Sequence, residues 1–264
     1  MPIVDSHCHV STLWYEPVEA LLYQMDTCGV EQAVLVQMQG QFDNSYQVEC
    51  VERFPGRFAS VVIVDTDRAD ASAELERLHA DGAKGVRLKP STRSPGDDNL
   101  DIWKTAERLG MTVSCIGSDA EFSSATFTRI VKAVPNLQIV IEHLGSDAGV
   151  DELCSDAEQT KRGAFLLARF PNVYMKITGL GEFCERSMPV SGQFPFERPI
   201  PPLLISACDA FGAGRLMWGS DYPPVSFREG YRNALELTMA EYSFLDESDH
   251  KLVFGGVAKT VFGF

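Results

Sequence analysis

The chain has 264 residues, 45% of them hydrophobic and 23% charged, enough for one large core of the size at which α/β barrels form single domains. Its formal net charge of −14 argues against nucleic acid or an anionic membrane surface as a partner. No apolar run approaches the ~18 residues of a membrane span, and seven cysteines without Cys-x-x-Cys spacing (Cys8, Cys28, Cys50, Cys115, Cys154, Cys184, Cys208) read as free thiols in a reducing cytoplasm.

The first predicted strand runs from Ile3 to Val10 and contains Asp5-Ser6-His7-Cys8-His9. Strand side chains alternate, so His7 and His9 share one face, about 7 Å apart at ~3.3 Å per residue, and Cys8 takes the other. Two imidazoles so placed can grip one metal ion or one polar substrate; ordinary polar residues at a strand end are the plain alternative. A strand starting this early leaves no room for a signal peptide, which again points to the cytoplasm.

Further strands are expected at 32–39, 59–65, 85–89, 112–116, 138–143, 173–177 and 216–220. Between them, Val18, Leu21, Leu22 and Met25 keep helical spacing, as do Ala71, Leu75 and Leu78, then Phe127, Ile130, Val131 and Val134. Phe165, Leu166 and Ala168 read as the end of a longer helix. Gly29, Gly82, Gly110 and Gly212 follow putative helix ends, and Phe54-Pro55, Val134-Pro135 and Phe170-Pro171 stop helices ahead of strands. Eight strand–helix units predict a single-domain, TIM-type (β/α)8 barrel over residues 1–264. An open doubly wound sheet is disfavoured because no Gly-x-Gly-x-x-Gly opens the first helix.

Residues 181–202, GEFCERSMPVSGQFPFERPIPP, carry five prolines and three phenylalanines after the seventh strand. An insertion there falls on the C-terminal face, where barrel active sites lie, and Phe183, Phe194 and Phe196 suggest a lid over the mouth. The strand ends converge on that mouth. They supply His7 and His9 (strand one), Arg87 and Lys89 (strand four), Glu142 and His143 (strand six), Lys176 and Thr178 (strand seven), and Asp221 and Tyr222 after strand eight. His79 and His250 lie in polar helical stretches and read as solvated. Asp221 reads either as a loop-closing cap or, beside two histidines, as a general base or metal ligand.

Asp5-Ser6-His7-Cys8-His9, Glu142-His143-Leu144-Gly145, Asn172 to Lys176, Met217 to Pro223 and the closing Phe254 to Phe264 together resemble the amidohydrolase superfamily, more narrowly its amidohydrolase-related branch. The resemblance covers the whole chain and implies a distorted (β/α)8 barrel with hydrolytic or decarboxylating chemistry. By position it implies catalytic or metal-ligating roles for His7, His9, His143 and Asp221. Lys89 lies on strand four, where binuclear members carry a bridging lysine. The fifth strand lacks the histidine of metal-rich members and of decarboxylases, and Cys115 there reads as a small buried hydrophobe. A binuclear centre is therefore not expected; a single Zn2+ or no metal is. This departure resembles the lactonase subgroup, which includes pyrone-dicarboxylate and sugar-acid lactonases. Arg87 and Arg93, six apart, resemble the pair that holds substrate carboxylates there, whereas Pro224 stands where that lactonase has an amide.

The resulting expectation is a hydrolase of a small carboxylated lactone. Asp221 takes a proton from water, and His7, His9 and His143, or one Zn2+ they hold, stabilise the oxyanion. Arg87, Arg93, Lys89, Lys176 and Tyr222 contact the substrate, a small lactone or carboxylic acid. Non-oxidative decarboxylation of an aromatic or enoic acid is the enzymatic alternative, and a non-catalytic ligand-binding barrel the third. A homo-oligomer is compatible with the sequence, which sets no oligomeric state.

Overall fold

The computed structural model describes residues 2–146, 162–190, 192 and 194–264; Cys154 lies outside them. Eight parallel strands follow in sequence order: β1 (Ile3–Cys8), β2 (Val30–Val36), β3 (Phe58–Val62), β4 (Gly85–Leu88), β5 (Thr112–Cys115), β6 (Ile139–Ile141), β7 (Val173–Ile177) and β8 (Leu216–Trp218). Their order in the sheet is β1 to β8 without a crossover, and helices lie between them, so the architecture is the expected (β/α)8 barrel. Strands one, six and eight are shorter than the expected spans 3–10, 138–143 and 216–220. The chain turns out of the ladder where His9, His143 and Asp221 begin.

The barrel closes between β8 and β1, at its C-terminal mouth. The Asp221 N–H donates to the His7 carbonyl (2.8 Å) and the His9 N–H to the Tyr222 carbonyl (2.7 Å), with a parallel bridge pairing Cys8 and Tyr222. Below this seam the buried Asp5 carboxylate accepts from Ser220 N–H (2.9 Å), Ser220 Oγ (2.6 Å) and Tyr231 Oη (2.9 Å). Gly219 is required here, because a Cβ would lie 2.6 Å from His7 Cβ.

Strand β1 is not a plain alternating strand. Its register with β2 runs Asp5 to Ala33 and then Cys8 to Leu35, which places one extra residue in β1. Such a bulge re-aims side chains. Val4 belongs to the interior apolar cluster; strict alternation from Val4 would turn His7 outward, and the extra residue returns His7 and His9 to the interior. The other end of the barrel is plugged by the C-terminal helix Val257–Phe262. Val257, Ala258, Val261 and Phe262 pack with Val4, Val34, Val36, Ala59, Val61, Val140 and Met217.

Two expectations change. Phe183 and Phe196 of the 181–202 insertion are buried in the main core, and Phe194 packs against it. Apolar rings gain more from core burial than from covering a wet mouth, so these rings fill the core, and the segment meets the mouth through Glu182. The segment around Phe165 is a 3₁₀ turn, Gly163–Arg169, with Leu166 62% exposed; the longer helix expected before it lies outside the described residues.

The Asp5 network, which also takes the His7 N–H at 3.1 Å, predicts that Asp5→Ala, which strands four buried donors, lowers unfolding stability by about 3 kcal/mol. The shift of the urea midpoint measures it; a change under ~0.5 kcal/mol would show that the seam holds without Asp5.

Candidate active site

A cavity of ≈ 400 Å3 opens at the C-terminal mouth, walled by His9, Tyr15, Arg87, His143, Glu182, Asp221 and Arg228, among others. His7, His9, His143 and Asp221 are all buried at its base. His143 and Asp221 have φ values of 51° and 56°, in the left-handed region. Non-glycine residues there cost of order 1 kcal/mol or more and cluster at functional sites. Here the turn aims each side chain back over the barrel axis.

The buried layer beneath the cavity is a chain of charges. Arg87 grips Glu142 with Nη2 at 2.7 Å from Oε2 and Nε at 3.2 Å, and donates Nη1 to the Gln37 carbonyl (3.0 Å). Ser114 Oγ donates to Glu142 Oε1 (2.6 Å) and accepts from Lys176 Nζ (2.7 Å). Lys176 Nζ also lies 3.0 Å from His7 Nδ1 and 5.9 Å from the ring centroid of Phe262 on the plug. Burial would raise Glu142, but Arg87 and then Lys176 pull it down to about 2. Burial lowers Lys176 to about 8 against the attraction of Glu142. Burial, then Lys176, hold His7 well below the usual histidine range, so it is neutral.

The upper layer faces the cavity. Asp221 Oδ1 lies 3.4 Å from His9 Nε2 and 3.8 Å from His7 Nε2. His9 Nδ1 is 2.6 Å from the Val36 carbonyl, which can only accept. Nδ1 therefore carries hydrogen, and Nε2 of a neutral His9 presents a lone pair to a carboxylate oxygen. Two facing acceptors call for a proton or a cation between them. His143 Nδ1 lies 2.6 Å from Glu182 Oε1. Burial opposes charge on this imidazole, but Glu182, then Asp221 and Glu142, carry it up to about 9. Burial would likewise raise Asp221, yet the His9 hydrogen bond, His143 and Arg228 hold it well below the ordinary carboxylate range.

Ligand atoms of His7, His143 and Asp221 lie within 4.8 Å of one another, and His7 Nε2 is a buried atom without a hydrogen-bond partner. Together with the facing acceptors of His9 and Asp221, this donor set fits a single cation. Carboxylate and carbonyl partners on the far nitrogens of His143 and His9 are those usual for metal-ligating imidazoles.

The residues expected to contact substrate do not converge. Lys89 is exposed at the end of β4. Arg93 folds onto its own loop, with Nη1 donating to the Pro90 and Thr92 carbonyls. Arg87 reaches the cavity, but Glu142 neutralises it. Lys176 lies beneath His7, 1% exposed, and Tyr222 is a core residue edge-on to Tyr231. Arg87 and Arg93 do not converge as a pair: one guanidinium is engaged by a buried carboxylate, and the other turns to backbone oxygens. Conversely, sequence reasoning gave no role to Glu142, Ser114, Glu182, Arg228 or Tyr15, whose ring stacks on His9 at 5.4 Å. Glu142 and Ser114 carry a signal, being on inward strand positions. Glu182, Arg228 and Tyr15 sit on loops and carry none.

Behind Arg228, burial pushes Glu229 up to about 7, against the attraction of Arg228. Below the unfolded value near 4.5 the group is neutral in both states. The cost of ionising it in the fold develops between 4.5 and 7 and is complete above. Wild type is therefore expected to lose about 2–3 kcal/mol relative to Glu229→Gln between pH 5 and pH 8, read from urea unfolding at both; a constant difference would assign no titration to Glu229.

Residues 4–264 match the amidohydrolase family profile. The chain is 30% identical over 205 residues to an L-fucono-1,5-lactonase of Burkholderia ambifaria, covering 74% of this chain and 66% of that protein. It is 26% identical over 216 residues to a 4-sulfomuconolactone hydrolase of Hydrogenophaga intermedia, covering 78% and 65%. The chain thus spans about two thirds of the length of both. A crystal structure of an amidohydrolase from Burkholderia multivorans with bound zinc superposes with a TM-score of 0.79 at 20% identity, over 100% of both chains; at that identity it speaks for the fold. With a family match spanning nearly its full length and a His/His/Asp cluster at the barrel mouth, the chain belongs to the amidohydrolase family.

Proposed function

We propose that this protein hydrolyses a small lactone, with Asp221 as the general base. The observation that carries this reading is Asp221 itself: an ionised carboxylate on the cavity wall, one oxygen turned to His7 and His9. The lactone hydrolases among its relatives support the substrate class.

In this reading a water molecule lies against Asp221 Oδ1, which accepts its proton as the oxygen attacks the lactone carbonyl. Cationic His143, steadied by Glu182, opposes the charge that develops on the carbonyl oxygen. His9 lies against the same oxygen at 3.4 Å, Arg228 holds the other one, and Asp221 returns the proton to the leaving oxygen. A carboxylate held as low as Asp221 is a weak base, so it relies on help at the carbonyl and on an able leaving group. The ring oxygen of a lactone departs more readily than an amine, which favours lactone over amide hydrolysis. Decarboxylation has no such need for a base at this position. A single Zn2+ could instead be held by His7, His143 and Asp221, with His9 alongside; His143 would then be neutral, and the ion would take the imidazolium's place, as a Lewis acid on the carbonyl.

Asp221→Asn keeps the shape and removes the base; kcat on a lactone that wild type opens should fall by roughly 10² or more. A near-normal rate would exclude Asp221 as base. Elemental analysis of protein purified without chelator should find at most one equivalent of metal per chain, lost when His7 and His143 are both changed to Asn. Two equivalents would reopen a binuclear centre.

A further inference from the structure

We propose that Arg228 is a positioning residue for Asp221, and that Arg228 and Glu182 together fix Asp221 and His143 relative to each other across the cavity. The inference rests on the reading of Asp221 as general base. Arg228 lies on the loop after β8, seven residues beyond Asp221, and its Nη1 donates to Asp221 Oδ2 at 3.0 Å. Its Nη2 lies 3.8 Å from Glu182 Oε2, and the other oxygen of Glu182 lies 2.6 Å from His143 Nδ1. The four groups run imidazole, carboxylate, guanidinium, carboxylate across the cavity.

An aspartate has two equivalent oxygens and a softly hindered last torsion. With Oδ2 committed to Arg228, Oδ1 is left facing His9 and His7. Arg228 Nε and Nη2 are buried without a hydrogen bond, so among the described residues Asp221 is the one acceptor that takes a hydrogen bond from this side chain.

The surrounding loops are shaped to hold the guanidinium. Arg186 Nη1 donates to the Arg228 carbonyl at 2.8 Å. Glu229, 3.8 Å from Arg228 Nε, occupies a notch made by two glycines: a Cβ on Gly179 or Gly181 would come within 2.1 or 1.9 Å of its carboxylate oxygens. The Gly181 N–H donates to the same carboxylate at 3.0 Å. The segment that supplies Glu182 is thus tied to the segment that supplies Arg228.

The test uses a lactone that wild type turns over. Arg228→Ala should lower kcat by roughly 10²-fold, the scale of a misplaced catalytic group, and leave KM within about threefold. Millimolar guanidinium ion should restore part of the rate, and Arg228→Lys should retain part of it. Wild-type kcat in Arg228→Ala, a rise in KM at unchanged kcat, or a loss that neither guanidinium nor lysine repairs would overturn the proposal. If Arg228→Ala does not fold, Glu182→Gln is read the same way: a lower kcat at unchanged KM supports the bridge, and a wild-type kcat overturns it. If wild type opens no lactone, the functional reading fails separately. The crystal structure of Arg228→Ala (or of Glu182→Gln) then decides: a turned Asp221 or His143 side chain supports the bridge, and unchanged rotamers overturn it.

Discussion

The closure of the barrel between β1 and β8 is the constraint on which the site depends. It is made by backbone groups of the site residues themselves: His7 carbonyl to Asp221 N–H, and Tyr222 carbonyl to His9 N–H. Their side chains are free for chemistry while their main chains complete the sheet. Position and reactivity are therefore separable, since a change of side chain at Asp221 leaves the seam's hydrogen bonds in place. The reverse does not hold. Anything that opens the seam, such as loss of the Asp5 acceptor beneath it, moves the strand-one histidines away from Asp221 together with the backbone.

The buried charges show why the seam has to be rigid. Glu142 takes the guanidinium of Arg87 and, through Ser114, the ammonium of Lys176. A charge removed from water is tolerated only when its hydrogen bonds are met with good geometry. These partners come from β4, β5, β6 and β7, so a shift of one strand would leave an ion unpaired. The apolar plug of Val257 to Phe262 dries the layer below, and Phe262 faces Lys176 directly. The charged layer in turn sets His7 neutral.

Much of this was legible in the sequence. The eight Val- and Ile-rich runs and the glycine and proline breaks between them prescribe the barrel, and the strand-end rule brings His7, His9, His143 and Asp221 to one mouth, where the structure places them. Periodicity alone does not record the bulge in β1: His7 and His9 share a face as expected, but Val4 shares it too only because an extra residue intervenes. Nor does composition separate a ring that covers a mouth from one that fills a core, as Phe183 and Phe196 do. The Arg87 and Arg93 spacing is a local fact. Whether a guanidinium is available depends on Glu142, 55 residues away in the chain.

The groups that escaped the sequence reading share an origin. Tyr15, Glu182 and Arg228 stand on the loops after β1, β7 and β8. They have no periodicity to betray them, because a loop side chain reaches the site through a path that only the folded backbone defines. They are also the groups that complete the site: Tyr15 stacks on His9, Glu182 charges His143, and Arg228 holds one oxygen of Asp221. A barrel of this kind divides the work accordingly. Strand ends, fixed by the sheet, supply the quartet His7, His9, His143 and Asp221, and loops, free to vary in length and sequence, set its orientation and surroundings. The strand-end quartet therefore argues for the family and its kind of chemistry. What distinguishes this mouth lies in the loop residues around it, where Arg93 folds onto its own loop and the wall is made of Tyr15, Glu182 and Arg228, among others.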